Sequence, residues 1–174
     1  MAPMKYALAV LLALCASATA QLPAPALNTQ AVNGKFYISV DDKAHVLLNG
    51  TEVLSNEKLG HFSSNEVSLK PGDRLVIQLK NVRAERYFAI AFESTDKRTV
   101  ISFPRTALKI LPTLDATDFT PADFAKLTKY AKAENRKRDN TIPFKHTSDY
   151  LWGDFDECAL GCILTSQMFI TTRP

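Results

Sequence analysis

The stretch Asp149-Tyr150-Leu151-Trp152-Gly153-Asp154-Phe155-Asp156-Glu157 gathers the only tryptophan of the chain, two further aromatics and four acids. Aromatic faces stack on the C–H surfaces of sugar rings, and carboxylates beside them accept hydroxyl hydrogen bonds. The mixture therefore suits a shallow carbohydrate site. In that reading Tyr150, Trp152 and Phe155 form the platform, with Asp154 and Asp156 as acceptors. Asp149, Asp154, Asp156 and Glu157 are also hard oxygen donors of the kind that hold Ca2+, although their spacing fits no defined calcium loop. The alternative for the same residues is structural: Trp152 and Phe155 at the edge of a core, the acids solvated.

Three other features bear on chemistry. Cys158 and Cys162 are the two cysteines left once an N-terminal leader carrying Cys15 is removed. Their C-x-x-x-C spacing is not that of a thioredoxin motif, and two cysteines alone make a poor zinc site. In an exported chain they read as a disulfide closing a tight loop. Asn49-Gly50-Thr51 is a glycosylation sequon on a predicted hairpin tip, where the Asn serves the turn equally well. Lys126, Lys129 and Lys132, followed by Arg136-Lys137-Arg138, form a basic segment that could meet an acidic partner or simply be a solvated face. Few aromatics interleave with it, which argues against nucleic acid.

Templates for catalysis are missing. The chain has no G-x-S-x-G, no H-E-x-x-H and no phosphate-cradling glycine loop, and His45, His61 and His146 lie far apart without motif neighbours. The expectation is a protein with no catalytic residues. A site assembled from scattered residues stays open, because a triad needs no local motif.

The elements that must position these groups are mostly strands. Phe36–Val40, Ala44–Leu48, Thr51–Leu54, Glu66–Leu69, Arg74–Lys80, Tyr87–Glu93, Thr99–Phe103, Leu108–Leu111 and Gln167–Thr171 are short β-rich runs separated by turn signals. Asn49-Gly50 fits a type I′ turn, and Lys70-Pro71-Gly72-Asp73 fits a Pro-Gly turn. One helix is predicted over 120–135. It opens on Thr120 as N-cap with Pro121 at the first helical position, and Phe124, Leu127 and Ala131 fall on one face. Recurrent short strands of this kind indicate an antiparallel sandwich, with a lipocalin-like barrel as the alternative.

The N-terminus has a positive Lys5, an apolar Tyr6–Cys15 and the small residues Ala18-Thr19-Ala20. Residues 1–20 therefore read as a secretory signal peptide. Residues 21–34 read as a Pro- and Ala-rich arm, and 35–174 as one domain. No other run approaches membrane-spanning length. The whole chain of 174 residues carries a formal charge of +3. Losing the single charge of the leader brings it closer to neutral, so the average charge points to neither nucleic acid nor membrane.

Three segments resemble galactose-binding-like jelly-roll domains: Ser39-Val40-Asp41-Asp42 leading to Leu48-Asn49-Gly50-Thr51, Leu69-Lys70-Pro71-Gly72-Asp73-Arg74-Leu75-Val76-Ile77, and Trp152-Gly153-Asp154-Phe155-Asp156. The resemblance spans most of 36–170. It implies a β-sandwich of jelly-roll type acting as a non-catalytic sugar or cell-surface binding module. The basic helical insert and the Cys158–Cys162 segment are additions to that pattern, and its usual final tryptophan is missing. The resulting expectation is a secreted, lectin-like module for extracellular or cell-wall carbohydrate. Its rivals are a matrix or interaction protein using 126–138 as contact surface, and a hydrolase with a dispersed site.

Overall fold

Two antiparallel sheets face each other because nearly every strand of this chain carries apolar side chains at alternate positions. The computed structural model describes residues 30–82, 86–133 and 150–171. The leader, the first nine residues of the arm, the Arg136-Lys137-Arg138 triplet, His146 and Asp149 lie outside these. In chain order the strands are β1 (Val32–Val40), β2 (Lys43–Leu48), β3 (Thr51–Asn56), β4 (Gly60–Ser63), β5 (Val67–Leu69), β6 (Arg74–Lys80), β7 (Phe88–Ser94) and β8 (Thr99–Ser102). There follow β9 (Lys109–Ile110), the helix α1 (Pro121–Lys126), β10 (Lys132–Ala133), β11 (Leu151–Trp152), β12 (Glu157–Ile163) and β13 (Ile170–Thr171).

The first sheet runs β10-β11-β7-β1-β4, with β5 also on β1 and β8 on β7, and β13 pairs with β8. The second runs β3-β2-β6-β12-β9. Neither closes on itself, so the fold is an all-β sandwich and the barrel alternative is excluded. Phe36, Ile38 and Val40 of β1 and Phe88, Ile90 and Phe92 of β7 point inward from the first sheet, meeting Ala44 and Val46 of β2, Leu75, Ile77 and Leu79 of β6 and Leu160 of β12. Among the described residues no helix is long and apolar enough to cross a membrane.

Local signals account for the turns. Asn49 and Gly50 both take positive φ, 49° and 81°, as the β2–β3 hairpin demands. Gly72 sits at φ 93°, and Asp73 donates its N–H to the Lys70 carbonyl at 3.2 Å. Strand β1 begins at Val32, so the last residues of the predicted arm are already paired, Gly34 lying opposite Ser94.

The helix is shorter than its pattern. Thr120 caps α1, accepting from the Asp123 N–H at 3.1 Å, but Leu127 is already extended. Leu127 packs with Leu111, Ala116 and Phe119 on Leu47, Val76 and Ala159, which form the outer face of the second sheet. Tyr130 then bridges to Lys109, and Ala131 donates to the Leu108 carbonyl at 2.9 Å. Pairing with β9 and burial on the sheet override helical propensity, which is weak in so short a segment. The segment between β9 and β10 is therefore a flap over the second sheet. Arg74 pins it through two bonds of 2.7 Å to Asp118, whose carboxyl that guanidinium holds below the usual range.

Cys158 and Cys162 are free thiols on β12, not the ends of a disulfide loop. They pair with Leu79 and Leu75 in register on β6. Four residues of extended strand separate them by roughly 13 Å between Cα atoms, beyond the ~7 Å that a bridge tolerates. The expected disulfide is ruled out by this strand geometry.

Candidate functional site

The loop from Gly153 to Asp156 joins β11 to β12 and turns the sequence-predicted site inside out. Trp152 is 0 % exposed and belongs to the core. Tyr150 is also buried, packing edge-on against Tyr87 with ring centroids 5.1 Å apart on the outer face of the first sheet. Neither ring is open to a ligand, which corrects the expectation that they form a stacking platform. Phe155 alone of the three projects outward, 73 % exposed.

Trp152 has a different job. Its indole N–H donates to the Phe155 carbonyl at 2.8 Å, fixing the loop that presents the phenyl ring. Gly153 is buried beside Cys158; a Cβ built on it would lie 2.5 Å from Cys158 Cβ and 2.6 Å from its Sγ. Gly153→Ala is accordingly expected to push the loop off β12, costing about 1–3 kcal/mol in denaturant melts through overpacking. A melt indistinguishable from wild type would mean the loop has slack.

The acids divide among different cations. Asp154 accepts from Lys132 at 2.6 Å and Lys129 at 3.4 Å, and the hydrogen bond from Lys132 is the main reason its carboxyl sits below the usual range. Asp156 lies 3.4 Å from Asn81 Nδ2 and 3.6 Å from Arg86. Glu157 pairs with Lys80. These three carboxylates point to separate partners and make no common cage for Ca2+. Among the described residues no group of three His, Cys, Asp or Glu gathers as for a metal ion.

Phe155 and Leu114, both exposed, stand on the rim of a cleft of about 570 Å³ between this loop and the flap. Leu111 and Leu127 line its apolar wall; Lys126, Lys129, Asp154 and Glu157 supply charge. Cys158, itself buried in the core, also borders it, and burial pushes its thiol up to about 12. Lys126 and Lys129 belong to the basic segment read from the sequence as a possible contact surface; Leu114 was not legible as a site residue, because only the flap's fold-back onto the second sheet brings it there.

Elsewhere, the structure assembles a group that the sequence kept apart. His45 Nδ1 lies 2.8 Å from Glu52 and 3.1 Å from Ser55 Oγ, while Nε2 lies 3.1 Å from Glu57, itself paired with Lys43. In this group both ring nitrogens face carboxylates. Its members are largely open to solvent at the β2–β3 edge. At the hairpin tip Asn49 is exposed, yet its amide is engaged: Nδ2 donates to Asp73 at 3.0 Å and Oδ1 accepts the Arg74 N–H at 2.9 Å.

No protein family, curated protein or solved structure matches this chain. Its function rests on the site.

Proposed function

We propose that this chain is an exported, non-catalytic carbohydrate-binding module whose ligand lies in the cleft beneath Phe155. The observation that carries the reading is one large aromatic ring, 73 % exposed, held on a short loop by the buried Trp152. With Leu114 the ring gives the cleft an exposed apolar rim beside converging charged groups, as ligand sites have. A sugar ring would stack on that face, while the neighbouring ammonium and carboxylate groups would take its hydroxyls. The resemblance to galactose-binding-like domains agrees with this reading.

The test is binding of the mature chain, Gln21–Pro174, to a broad panel of glycans and insoluble polysaccharides, with calcium and with chelator. Saturable binding is expected, and Phe155→Ala should weaken it by at least about tenfold, or ~1.4 kcal/mol, while far-UV dichroism stays β-like. Because Asp154, Asp156 and Glu157 are each engaged by a cation, chelator should make little difference. Full binding by Phe155→Ala would refute the platform. A blank panel with folded protein would instead favour a protein partner seated on Leu114 and Phe155, to be sought by pull-down.

A further inference from the structure

The cleft does not end at Phe155. Lys132, whose ammonium reaches Asp154 from the side, also lines a second hollow of about 360 Å³ together with Arg105 and Tyr130. Thr106 lies in the wall of that hollow and in the wall of a third, of about 430 Å³, to which Lys109 and Phe124 contribute. Three depressions thus follow one another around the flap, from Phe155 past Lys132 and Thr106 to Lys109.

Cations line this path out of proportion to acids. They come from three separate parts of the chain: Arg105 from the 3₁₀ turn after β8, Lys109 from β9, and Lys126, Lys129 and Lys132 from the end of α1 to β10. Lys126 is matched by Asp123 at 3.0 Å, but Lys129 and Lys132 share the single carboxylate of Asp154. No carboxylate among the described residues pairs with Arg105 or Lys109. The Lys109 ammonium lies 4.7 Å from the Phe124 ring centroid and 5.7 Å from that of Tyr130, donating to the Phe124 carbonyl at 3.1 Å. The chain as a whole is close to neutral, so this is a local excess.

Resting on the carbohydrate reading above, we infer that the ligand is an anionic glycan several sugars long, bearing carboxylates or sulfate esters. Its first ring stacks on Phe155. Its acid groups take the donors that Lys129 and Lys132 now offer to Asp154, and the chain then runs along Arg105 toward Lys109. A neutral polysaccharide has no use for five cations along its path. Aromatic rings (Phe155, Tyr130 and Phe124) alternate with the charges, as a chain of alternating C–H faces and acid groups needs.

The experiment compares matched polymers on the full mature chain: polygalacturonate against its methyl ester, and chondroitin sulfate against its desulfated, carboxyl-reduced form. Single-stranded DNA serves as a polyanion without sugar-ring faces of this kind. The acid form of at least one pair is expected to bind about tenfold or more tightly than its neutral form, with affinity falling as salt rises. A response of the polygalacturonate pair assigns carboxylate; a response of the chondroitin pair alone assigns the sulfate esters that polygalacturonate lacks. Arg105→Gln, an exposed change, should weaken the long polymer roughly three- to tenfold, yet leave a disaccharide confined to the Phe155 cleft unaffected. Equal binding of acid and neutral forms overturns the anionic inference and leaves the carbohydrate reading standing. DNA bound as tightly as the polyuronate also overturns it, by reducing the strip to generic polyanion attraction. Failure of every glycan overturns the carbohydrate reading itself.

Discussion

Trp152→Ala is expected to cost about 3–5 kcal/mol, a large share of the roughly 5–15 kcal/mol by which a domain of this kind is stable. Trp152 is the largest fully buried side chain of the protein, and it stands at the end of β11, where the first sheet meets the loop to β12. Its removal leaves a cavity among core residues and deletes the donor to the Phe155 carbonyl. Denaturant melts should show an early transition or an unfolded chain. A loss of sugar binding in this variant would therefore say nothing about stacking.

Trp152→Phe separates the two roles. It keeps most of the apolar bulk and removes the indole N–H, so stability should fall by only about 1–2 kcal/mol, for one hydrogen bond and some volume. The β signal in dichroism should persist while glycan affinity drops, because Phe155 loses its anchor. Native Trp fluorescence gives an independent check. The single tryptophan should emit to the blue and resist iodide quenching until the chain unfolds. Free quenching in the native state, or Trp152→Ala with wild-type stability, would return Trp152 to the surface and restore the platform first read from the sequence.

That difference shows what the sequence could carry. Turns are written locally: Asn49 and Gly50 take the positive φ of the hairpin turn and Gly72 takes it after Pro71, and both hairpin and turn are found where they were read. The sandwich follows from strands punctuated by such turns. What a side chain faces is not local. Trp152, Phe155 and Tyr150 share one composition signal, and only the pairing of β11 with β7 and β10 decides that Trp152 goes inward while Phe155, on the loop that follows, is left exposed. Likewise α1 begins where Thr120-Pro121 says it should, but ends where Leu127 meets the second sheet rather than where helical spacing fades.

The cysteines carry the same lesson into a second large effect: the native segment Gln21–Pro174 should yield no thiol to an alkylating reagent at neutral pH, and two after denaturation without reductant. Along β12 the side chains alternate strictly. Cys158, Leu160 and Cys162 face the core, while Ala159 packs against the flap and Gly161 leaves room for it. A Cβ on Gly161 would come within 2.9 Å of both Leu111 and Phe119. Because both faces are covered, neither is polar, and the period of two that marks a half-buried strand is hidden. A central strand thus looks in sequence like a cysteine-bounded loop. Burial pushes both thiols up to about 12 from an ordinary value of 9. The folded state therefore keeps protons that the unfolded chain releases above pH 9. The stability present below that pH is lost as it rises toward 12, by on the order of 1 kcal/mol per thiol per pH unit. The double variant Cys158→Ala, Cys162→Ala should be less stable at neutral pH yet lack this alkaline slope. Denatured, unreduced protein with no free thiol would mean that the pair is bridged and that β12 cannot run extended between them.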